Sequence, residues 1–187
     1  MQKTTEFEEQ IIKDIAYYWR IKKDLKYHSW AHTLRVVSFA KEILANEFNK
    51  YDFQNKTLLN DIIISSYLHD VGRINDSVDR EHGYRSLMIL DACKKELSLE
   101  FNIESVRFAI LNHSRREGEK DKLPLVSNFY INEQIDKRVA ACLWDADRLD
   151  LLRIPFFRKV DKDFLNTEYA KKFANSREHL KFYEPYA

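Results

Sequence analysis

The scarcity of turn residues is the feature that most constrains how this chain can fold. The sequence contains three glycines and three prolines in 187 residues. Sandwiches and barrels join many short strands, and the turns between those strands are rich in glycine and proline. The composition therefore disfavours a many-stranded sheet, and we expect an all-α fold built from several long helices.

Apolar residues recur at helical spacing in six segments that cover most of the chain. The first segment begins at a capping-box pattern, Thr5 to Glu8, and the second begins at Ser29 as its N-cap. Gly72 is predicted to mark the end of the third helix, and Pro155 follows the sixth. The predicted helices are residues 5–19, 29–43, 55–71, 80–97, 103–114 and 132–152.

The rest of the chain has weaker patterns. Residues 118–130 are predicted as a loop, in which 126–131 could form a short strand. From Asp161 onward the chain is polar, aromatic and weakly periodic, so we expect short helices packed outside the core. The length is typical of one domain, and no repeat or boundary interrupts it. We expect a single domain, 1–187, with a C-terminal helical extension over 155–187.

Composition and charge exclude several classes of protein. With 44% apolar and 33% charged residues, the chain is neither disordered nor a membrane protein, and no window approaches the roughly 18 apolar residues of a membrane span. The first ten residues lack the order of a signal peptide, so we expect a cytoplasmic protein with free thiols at Cys93 and Cys142. A net charge of +1 argues against a general nucleic-acid-binding surface.

Three of the six histidines fall on or beside apolar helix faces. His32 shares a stripe with Val36, His113 shares one with Ile110, and His69 ends the apolar third helix. A single inward histidine is more often a hydrogen-bonded core residue than a metal ligand. Three of them on different helices favour a shared cation, since all three would otherwise need separate partners.

Asp147 is the charged member of an otherwise apolar stripe in the sixth predicted helix. A buried carboxylate is costly unless a partner compensates its charge. That partner could be Arg148, an arginine of another helix, or the cation that the histidines suggest. Imidazole and carboxylate are ligand types of first-row transition metals, and such sites in bundles draw on facing helices. His179 lies in a polar context and is expected to be structural.

Three motifs, in a fixed order, point to a family. They are His28 and His32 within YHSWAH, His69-Asp70 followed by VGR, and Asp147 within DADRLD. With these residues the chain resembles the HD superfamily of metal-dependent phosphohydrolases over about residues 27–151. The resemblance implies an all-α, single-domain HD-type bundle with its metal-binding core at 27–151. It also implies that the metal ligands are His32, His69, Asp70 and Asp147.

The last ligand requires a choice between two neighbouring carboxylates. The family places it before a basic or small residue, in an Ala-Asp-Arg/Lys-Leu context, which selects Asp147 over Asp145. Two residues correspond to about 200° around a helix, so both cannot face one ion from regular helix. The apolar stripe around Asp147 selects the same residue. Asp145 and Asp150 are expected to lie behind the ligands or on the surface.

His82 and His113 are the further candidates that the resemblance suggests. Family members with two metals carry additional histidines between the His-Asp pair and the last aspartate. His82 opens a predicted helix and His113 stands near the end of another. They are interpreted either as ligands of a second metal or as hydrogen-bond donors to a substrate phosphate. The chain lacks the Gly-Tyr-Pro extension of cyclic-di-GMP hydrolases and an obvious Glu-Asp pair of alarmone hydrolases.

The resemblance also suggests which residues perform the chemistry. Asp70 would hold or bridge metal and orient the attacking water. His28 precedes His32 by four residues, and in the related cyclic nucleotide phosphodiesterases a histidine at this spacing is the general acid. His28 is therefore the candidate proton donor, and the alternative is a capping or surface histidine.

Arginines near the motifs are the candidates for binding the substrate phosphate. Arg73 follows Asp70 by three residues, Arg115 and Arg116 follow His113, and Arg148 follows Asp147 directly. A planar guanidinium suits bidentate contact with phosphate, although exposed arginines are usually only solvated.

Three functions are compatible with these patterns. The first is a phosphohydrolase that cleaves a nucleotide or related phosphoester with a metal-activated water, using one or two divalent ions (Mn²⁺, Fe²⁺, Ni²⁺ or Co²⁺, or Mg²⁺). The second is a non-catalytic module that senses a nucleotide or metal, and the third is a scaffold stapled by its metal. The full motif set favours the first, with a small phosphorylated molecule as partner and homo-oligomerisation left open.

Overall fold

The computed structural model describes residues 6–20, 25–48, 54–95, 97, 100–114 and 135–183. In these ranges the chain is helical and contains no strand, which confirms the all-α prediction, and none of these helices is long and apolar enough to cross a bilayer. Two 3₁₀ turns, Asp150–Arg153 and Lys162–Phe164, separate the last helices. The α-helices are α1 (Glu6–Arg20), α2 (Trp30–Glu47), α3 (Lys56–Leu68), α4 (His82–Cys93), α5 (Ile103–Asn112), α6 (Lys137–Leu149), α7 (Glu168–Phe173) and α8 (Arg177–Lys181).

The helices pack around the pair formed by α2 and α6. Helix α3 lies against both members of this pair, and α5 packs against α3 and α6. Helix α4 packs on α5, while α1 covers α3 and α4 from the other side. Apolar residues predicted to face inward in the first three helices are buried, among them Ile15 of α1, Phe39 of α2 and Ile62 of α3. Cys93 and Cys142 are buried free thiols, as expected.

Polar side chains begin several of these helices. Asn55 accepts a hydrogen bond from the Leu58 N–H at the start of α3, and Asn102 accepts two at the start of α5. Asp136 caps α6 and Thr167 caps α7 in the same way. Such side chains satisfy the backbone N–H groups that have no partner in the first turn of a helix. Ser29 occupies the predicted N-cap position of α2 without a side-chain hydrogen bond.

Several predicted helices are shorter in the structure. Helix α3 ends at Leu68, because the following turn uses i→i−3 hydrogen bonds, Val71 N–H to Leu68 and Arg73 N–H to Asp70. Helix α6 starts at Lys137 and its last predicted turn is a 3₁₀ turn. The loop predicted for 118–130 and its strand at 126–131 lie outside the described residues.

The prediction that the C-terminal segment packs outside the core is wrong. Short helices do form there, but they are not outside the core. Leu165, Ala170 and Phe173 are buried in the same apolar cluster as Phe39 of α2 and Leu143 of α6. The weak periodicity of this segment reflects its very short helices, which contribute one or two buried side chains each.

Gly72 is required for a close approach between two segments and has no left-handed backbone. A Cβ at this position would lie 2.3 Å from His82 O and from Ser86 N, both on α4. The Ser86 hydroxyl accepts from the Gly72 N–H at 2.8 Å and donates to His69 O at 2.7 Å. The start of α4 is therefore fixed directly against the turn that follows α3.

We expect Gly72→Ala to destabilise the fold by about 1–3 kcal/mol, because the added methyl group forces α4 away from the turn. Gly83→Ala is the matched control, since its Cβ would meet Ile110 O at the milder distance of 3.1 Å. Urea unfolding of both variants measures the difference. Equal stability of the two variants would contradict the close packing described for Gly72.

We expect Asp61→Asn to stabilise the protein above neutral pH. Asp61 is 2% exposed on α3 and accepts the Asn102 N–H at 2.7 Å. Burial raises the pKa of Asp61 to about 7, and the Asp136 carboxylate adds to the rise. The stabilising contribution of this protonated carboxyl is present below about pH 4 and is lost as the pH rises through 7.

The amide of Asp61→Asn keeps the acceptor for Asn102 without a charge. Its free energy of unfolding should exceed the parent's by about 1–3 kcal/mol at pH 8, and the gain should vanish near pH 4. Urea unfolding of chelator-treated protein across this range is the measurement, with the exposed Asp163→Asn as control. A parallel pH dependence of parent and Asp61→Asn would refute the assignment.

Candidate metal centre

Four side chains, from two helices and from the turn after a third, meet where the motifs of the sequence converge. His32 lies in the first turns of α2, His69 and Asp70 follow α3, and Asp147 lies in the last turn of α6. The Nε2 atom of His32 lies 3.2 Å from His69 Nε2, 3.4 Å from Asp70 Oδ2 and 3.4 Å from Asp147 Oδ1. We call this group the first cluster.

A second group of ligand atoms lies on the other side of the same aspartate. His82 Nε2 is 2.8 Å from His113 Nε2 and 3.2 Å from Asp70 Oδ1. His113 Nε2 is 3.4 Å from the same Oδ1. Asp70 therefore turns one carboxylate oxygen to the first cluster and the other to this second cluster.

The hydrogen bonds behind the histidines determine which ring nitrogen carries the proton. The Nδ1 atom of His69 contacts Ser66 O at 2.7 Å, that of His113 contacts Ile110 O at 2.5 Å, and that of His82 contacts Asp79 O. A carbonyl oxygen can only accept, so each Nδ1 donates and each Nε2 of the neutral ring keeps a lone pair. For His69 and His113 the acceptors are carbonyls near a helix end, where intrahelical partners are missing.

In the resulting centre, hydrogen-bond acceptor atoms face other acceptor atoms. Imidazole lone pairs and carboxylate oxygens approach one another at 2.8–3.6 Å, and a buried arrangement of this kind is unfavourable unless positive charge lies between them. His32, His69 and Asp147 form one group able to hold a metal ion, and His69, Asp70 and His113 form another. Neutral imidazole and carboxylate are the donor types of first-row transition metals, so the residues present fit a divalent ion of this class.

The pKa values of the cluster show the same demand for positive charge. Burial lowers the pKa of His69 to about 3, so its ring is neutral at physiological pH. Burial also opposes ionisation of Asp70, but positive charge facing this carboxyl favours ionisation and holds its pKa well below the usual range. The pKa of Asp147 is also lowered, so both carboxyl groups are ionised.

Asp150 supports the first cluster from behind. Its buried carboxylate accepts from His32 Nδ1 at 2.7 Å and from Arg35 Nε at 2.6 Å. A carboxylate behind a metal-binding histidine fixes the ring and makes its other nitrogen a stronger donor. The sequence analysis expected Asp150 either behind the candidate ligands or on the surface, and the structure shows that it lies behind His32. Arg35 and Arg153, which also contacts Asp150, were missed.

The spacing of these residues could have revealed them. Arg35 lies three residues after His32 and Asp150 three residues after Asp147, so each shares a helix face or the next turn with a candidate ligand. A charged residue on such a face needs a buried partner of opposite charge.

Asp145 belongs to a different part of the molecule. Its carboxylate accepts hydrogen bonds from Asn166 N, Thr167 N and the Thr167 hydroxyl at 2.7–2.8 Å. The structure thus places Asp147 at the cluster and uses Asp145 to attach the C-terminal segment to α6. His179 is a buried structural residue, as expected, with its Nε2 donating to Leu149 O at 2.9 Å.

The remaining candidate site residues differ in how close they lie to the two clusters. Arg73 reaches the centre and donates from Nε to Asp70 Oδ1 at 3.0 Å. His28 is buried beside His32, with ring centroids 5.8 Å apart. Arg148 Nη1 lies 3.9 Å from Asp145, and no contact with the two clusters is found for it in the described part of the chain. Arg115 and Arg116 lie outside the described residues.

Comparison with known families agrees with this geometry. The model of the HD domain family matches residues 29–152, which include His32, the His-Asp pair and Asp147. The chain belongs to the HD domain family. The match begins one residue after His28 and ends before the C-terminal helices of this HD domain. Searches of curated proteins and of solved structures gave no significant match.

We expect Asp150→Asn to lower the affinity of the HD domain for a divalent metal by about 10–100-fold, since the amide cannot serve His32 and Arg35 together. The matched control is Asp145→Asn, which removes an equally buried carboxylate without touching a histidine. Competition with a coloured chelator measures affinity, and circular dichroism confirms folding. If both variants bound metal equally, Asp150 would have no role in the centre.

Proposed function

We propose that this HD domain is a metal-dependent phosphohydrolase that cleaves a phosphoester of a nucleotide or a related small molecule. The family supports metal-dependent phosphohydrolysis in general terms. The observation that carries the proposal for this chain is the pair of acceptor clusters that share Asp70. A scaffold in which one metal ion only held the helices together would not need a second cluster that shares the Asp70 carboxylate with the first.

The ligand assignments follow from the atoms that face each other. His32, His69, Asp147 and Asp70 Oδ2 would hold one ion, and Asp70 Oδ1, His82 and His113 would hold another. The alternative for His82 and His113, donation to a phosphate, is weakened because the Nδ1 atoms of both rings already donate to backbone carbonyls. A divalent ion, when bound, lowers the pKa of water and offsets negative charge on a phosphate.

Two other residues would act on the substrate itself. The Arg73 guanidinium, held beside Asp70, would contact a phosphate oxygen. His28 would give its proton to the leaving oxygen as the phosphorus–oxygen bond breaks. Burial lowers the pKa of His28 to about 4, so its ring is neutral before substrate binds, and the negative phosphate must raise this pKa for the proton transfer. Arg115 and Arg148 remain candidates for more distant contacts.

A phosphate-release screen over nucleotides with Mn²⁺, Co²⁺, Ni²⁺ and Mg²⁺ tests the proposal. We expect turnover with at least one pairing, and its loss together with the bound metal in Asp70→Ala. Tight binding of a nucleotide without phosphate release under any of these metals would instead support a sensing module. Full metal occupancy in Asp70→Ala would show that the ligand set is wrong.

We expect the two histidines of YHSWAH to behave differently when replaced. His32→Ala should lower metal content and activity together, because His32 Nε2 belongs to the first cluster. His28→Ala should keep its metal and slow turnover by about a hundredfold on a nucleotide. A nitrophenyl ester needs little protonation of its leaving group, so it should hide most of that loss.

Metal content and turnover of both variants on both substrates are the quantities to measure. Loss of metal in His28→Ala, or an equal loss of activity on the two substrates, would rule out the role of His28 as proton donor.

A further inference from the structure

Asp76 holds the segment that carries His28 through an unusually dense set of hydrogen bonds. Its Oδ2 accepts the Lys26 N–H at 2.6 Å, while Oδ1 accepts the Tyr27 and His28 N–H groups at 3.1 Å each. The same Oδ1 lies 2.8 Å from His28 Nδ1. One carboxylate thus binds three consecutive backbone amides and the side chain that follows them.

Arg153 holds the same segment from the opposite side. Its Nε donates to Tyr27 O at 2.7 Å, and its Nη1 donates to Asp150 O at 2.9 Å. The peptide between Tyr27 and His28 is therefore fixed at both ends, by Asp76 at its N–H and by Arg153 at its carbonyl. The backbone that leads into His28 has little freedom to rotate.

The loop that presents Asp76 is itself held in place. Arg73 donates from Nη1 to Ser77 O at 3.2 Å, and Ser77 donates to the Asn75 side chain from both its N–H and its hydroxyl. The Ile74 N–H donates to Asp79 at 3.3 Å. Asp76 thus lies at the centre of a folded turn, six residues after the bridging Asp70.

These contacts determine the form of the His28 ring. A carboxylate accepts, so the neutral ring carries its proton on Nδ1 and points Nε2, on the opposite edge, away from Asp76. In the described part of the chain no hydrogen bond to this Nε2 is found. The His28 ring lies beside the His32 ring, with centroids 5.8 Å apart, which places it at the edge of the metal centre.

We propose that Asp76 is a positioning residue that keeps His28 in the Nδ1–H form, with Nε2 turned to the substrate side of the centre. This inference rests on the proposed function, because it assigns a use to that Nε2. When a phosphoester is bound, Nε2 gains a proton and the Asp76 carboxylate stabilises the resulting imidazolium, as in other carboxylate–histidine pairs.

The proton transfer balances over the reaction. The oxygen of a water molecule bonds to phosphorus as the phosphorus–oxygen bond of the ester breaks, and that water releases one proton to solvent. The Nε2 proton of His28 goes to the leaving oxygen, so the ring returns to the neutral Nδ1–H form on Asp76. A proton from solvent then restores Nε2–H for the next cycle.

Imidazole ¹⁵N spectra of chelator-treated protein test the positioning without any activity. We expect His28, assigned by comparison with His28→Gln, to carry its proton on Nδ1 in the parent. Asp76→Asn should keep this form, because an amide oxygen at the Oδ1 position retains three of the four hydrogen bonds. Asp76→Ala should shift a large share of the ring to Nε2–H. An unchanged His28 signal in Asp76→Ala would overturn the proposal.

Kinetics of the metal-loaded protein give the second readout. Asp76→Ala should lower kcat on a nucleotide by at least about tenfold with KM within about twofold, and the loss should shrink on a nitrophenyl ester. Asp76→Asn should fall between parent and Asp76→Ala, and the exposed Asp163→Asn should match the parent. Should Asp76→Ala not fold, Asp76→Ser replaces it, since a serine hydroxyl can serve a backbone N–H but does not reach Nδ1.

The two proposals fail in distinguishable ways. Absence of phosphoester turnover in the parent, or a His28→Ala loss that is equal on both esters, refutes the proposed function, while the ¹⁵N spectra still decide whether Asp76 positions His28. A selective loss in His28→Ala without any in Asp76→Ala refutes the role of Asp76 alone.

Discussion

The structure depends on an electrostatic repulsion between buried acceptor atoms that the protein's own groups do not fully offset. Two carboxylates and the Nε2 lone pairs of four histidines point at one another in a buried centre, with Asp70 between the two groups. Arg73 donates to Asp70 Oδ1, but hydrogen bonds do not satisfy the whole centre, because the Nδ1 protons of His69 and His113 are already donated to carbonyls on the outer side. A divalent cation removes the repulsion, and for this reason the centre predicts metal binding more strongly than any single motif.

The surrounding helices keep this centre from relaxing. Three of the histidines are fixed by carbonyls three residues earlier in the chain, so their orientation is local. His32 differs, since its partner Asp150 is 118 residues away and is itself neutralised by Arg35. The contact between Gly72 and the start of α4 then sets how close the second cluster comes to Asp70.

The C-terminal helices also support α6, the helix that carries Asp147. His179 and the Tyr183 hydroxyl both donate to Leu149 O, at the end of the helix that carries Asp147. Asp145, two residues before Asp147, binds the backbone of the segment that leads into α7. The contacts at Leu149 hold the end of α6 in place, and the Asp145 contact attaches the C-terminal segment to the same helix.

The sequence by itself determined the fold class, the positions of the main helices and the side chains of the first cluster. The fold class and the helices follow from local rules, namely apolar periodicity and few turn residues. The full set of the first cluster, Asp70 included, came from the resemblance of three short motifs to the HD family. Tertiary structure decided what depends on distant partners. It joined His82 and His113 to Asp70, placed Asp150 and Arg35 behind His32, and set Asp76 against His28. Such pairings depend on how segments 12 to 118 residues apart pack together. Local spacing marks Arg35 and Asp150 as residues that need a buried partner, but it does not say which partner they meet.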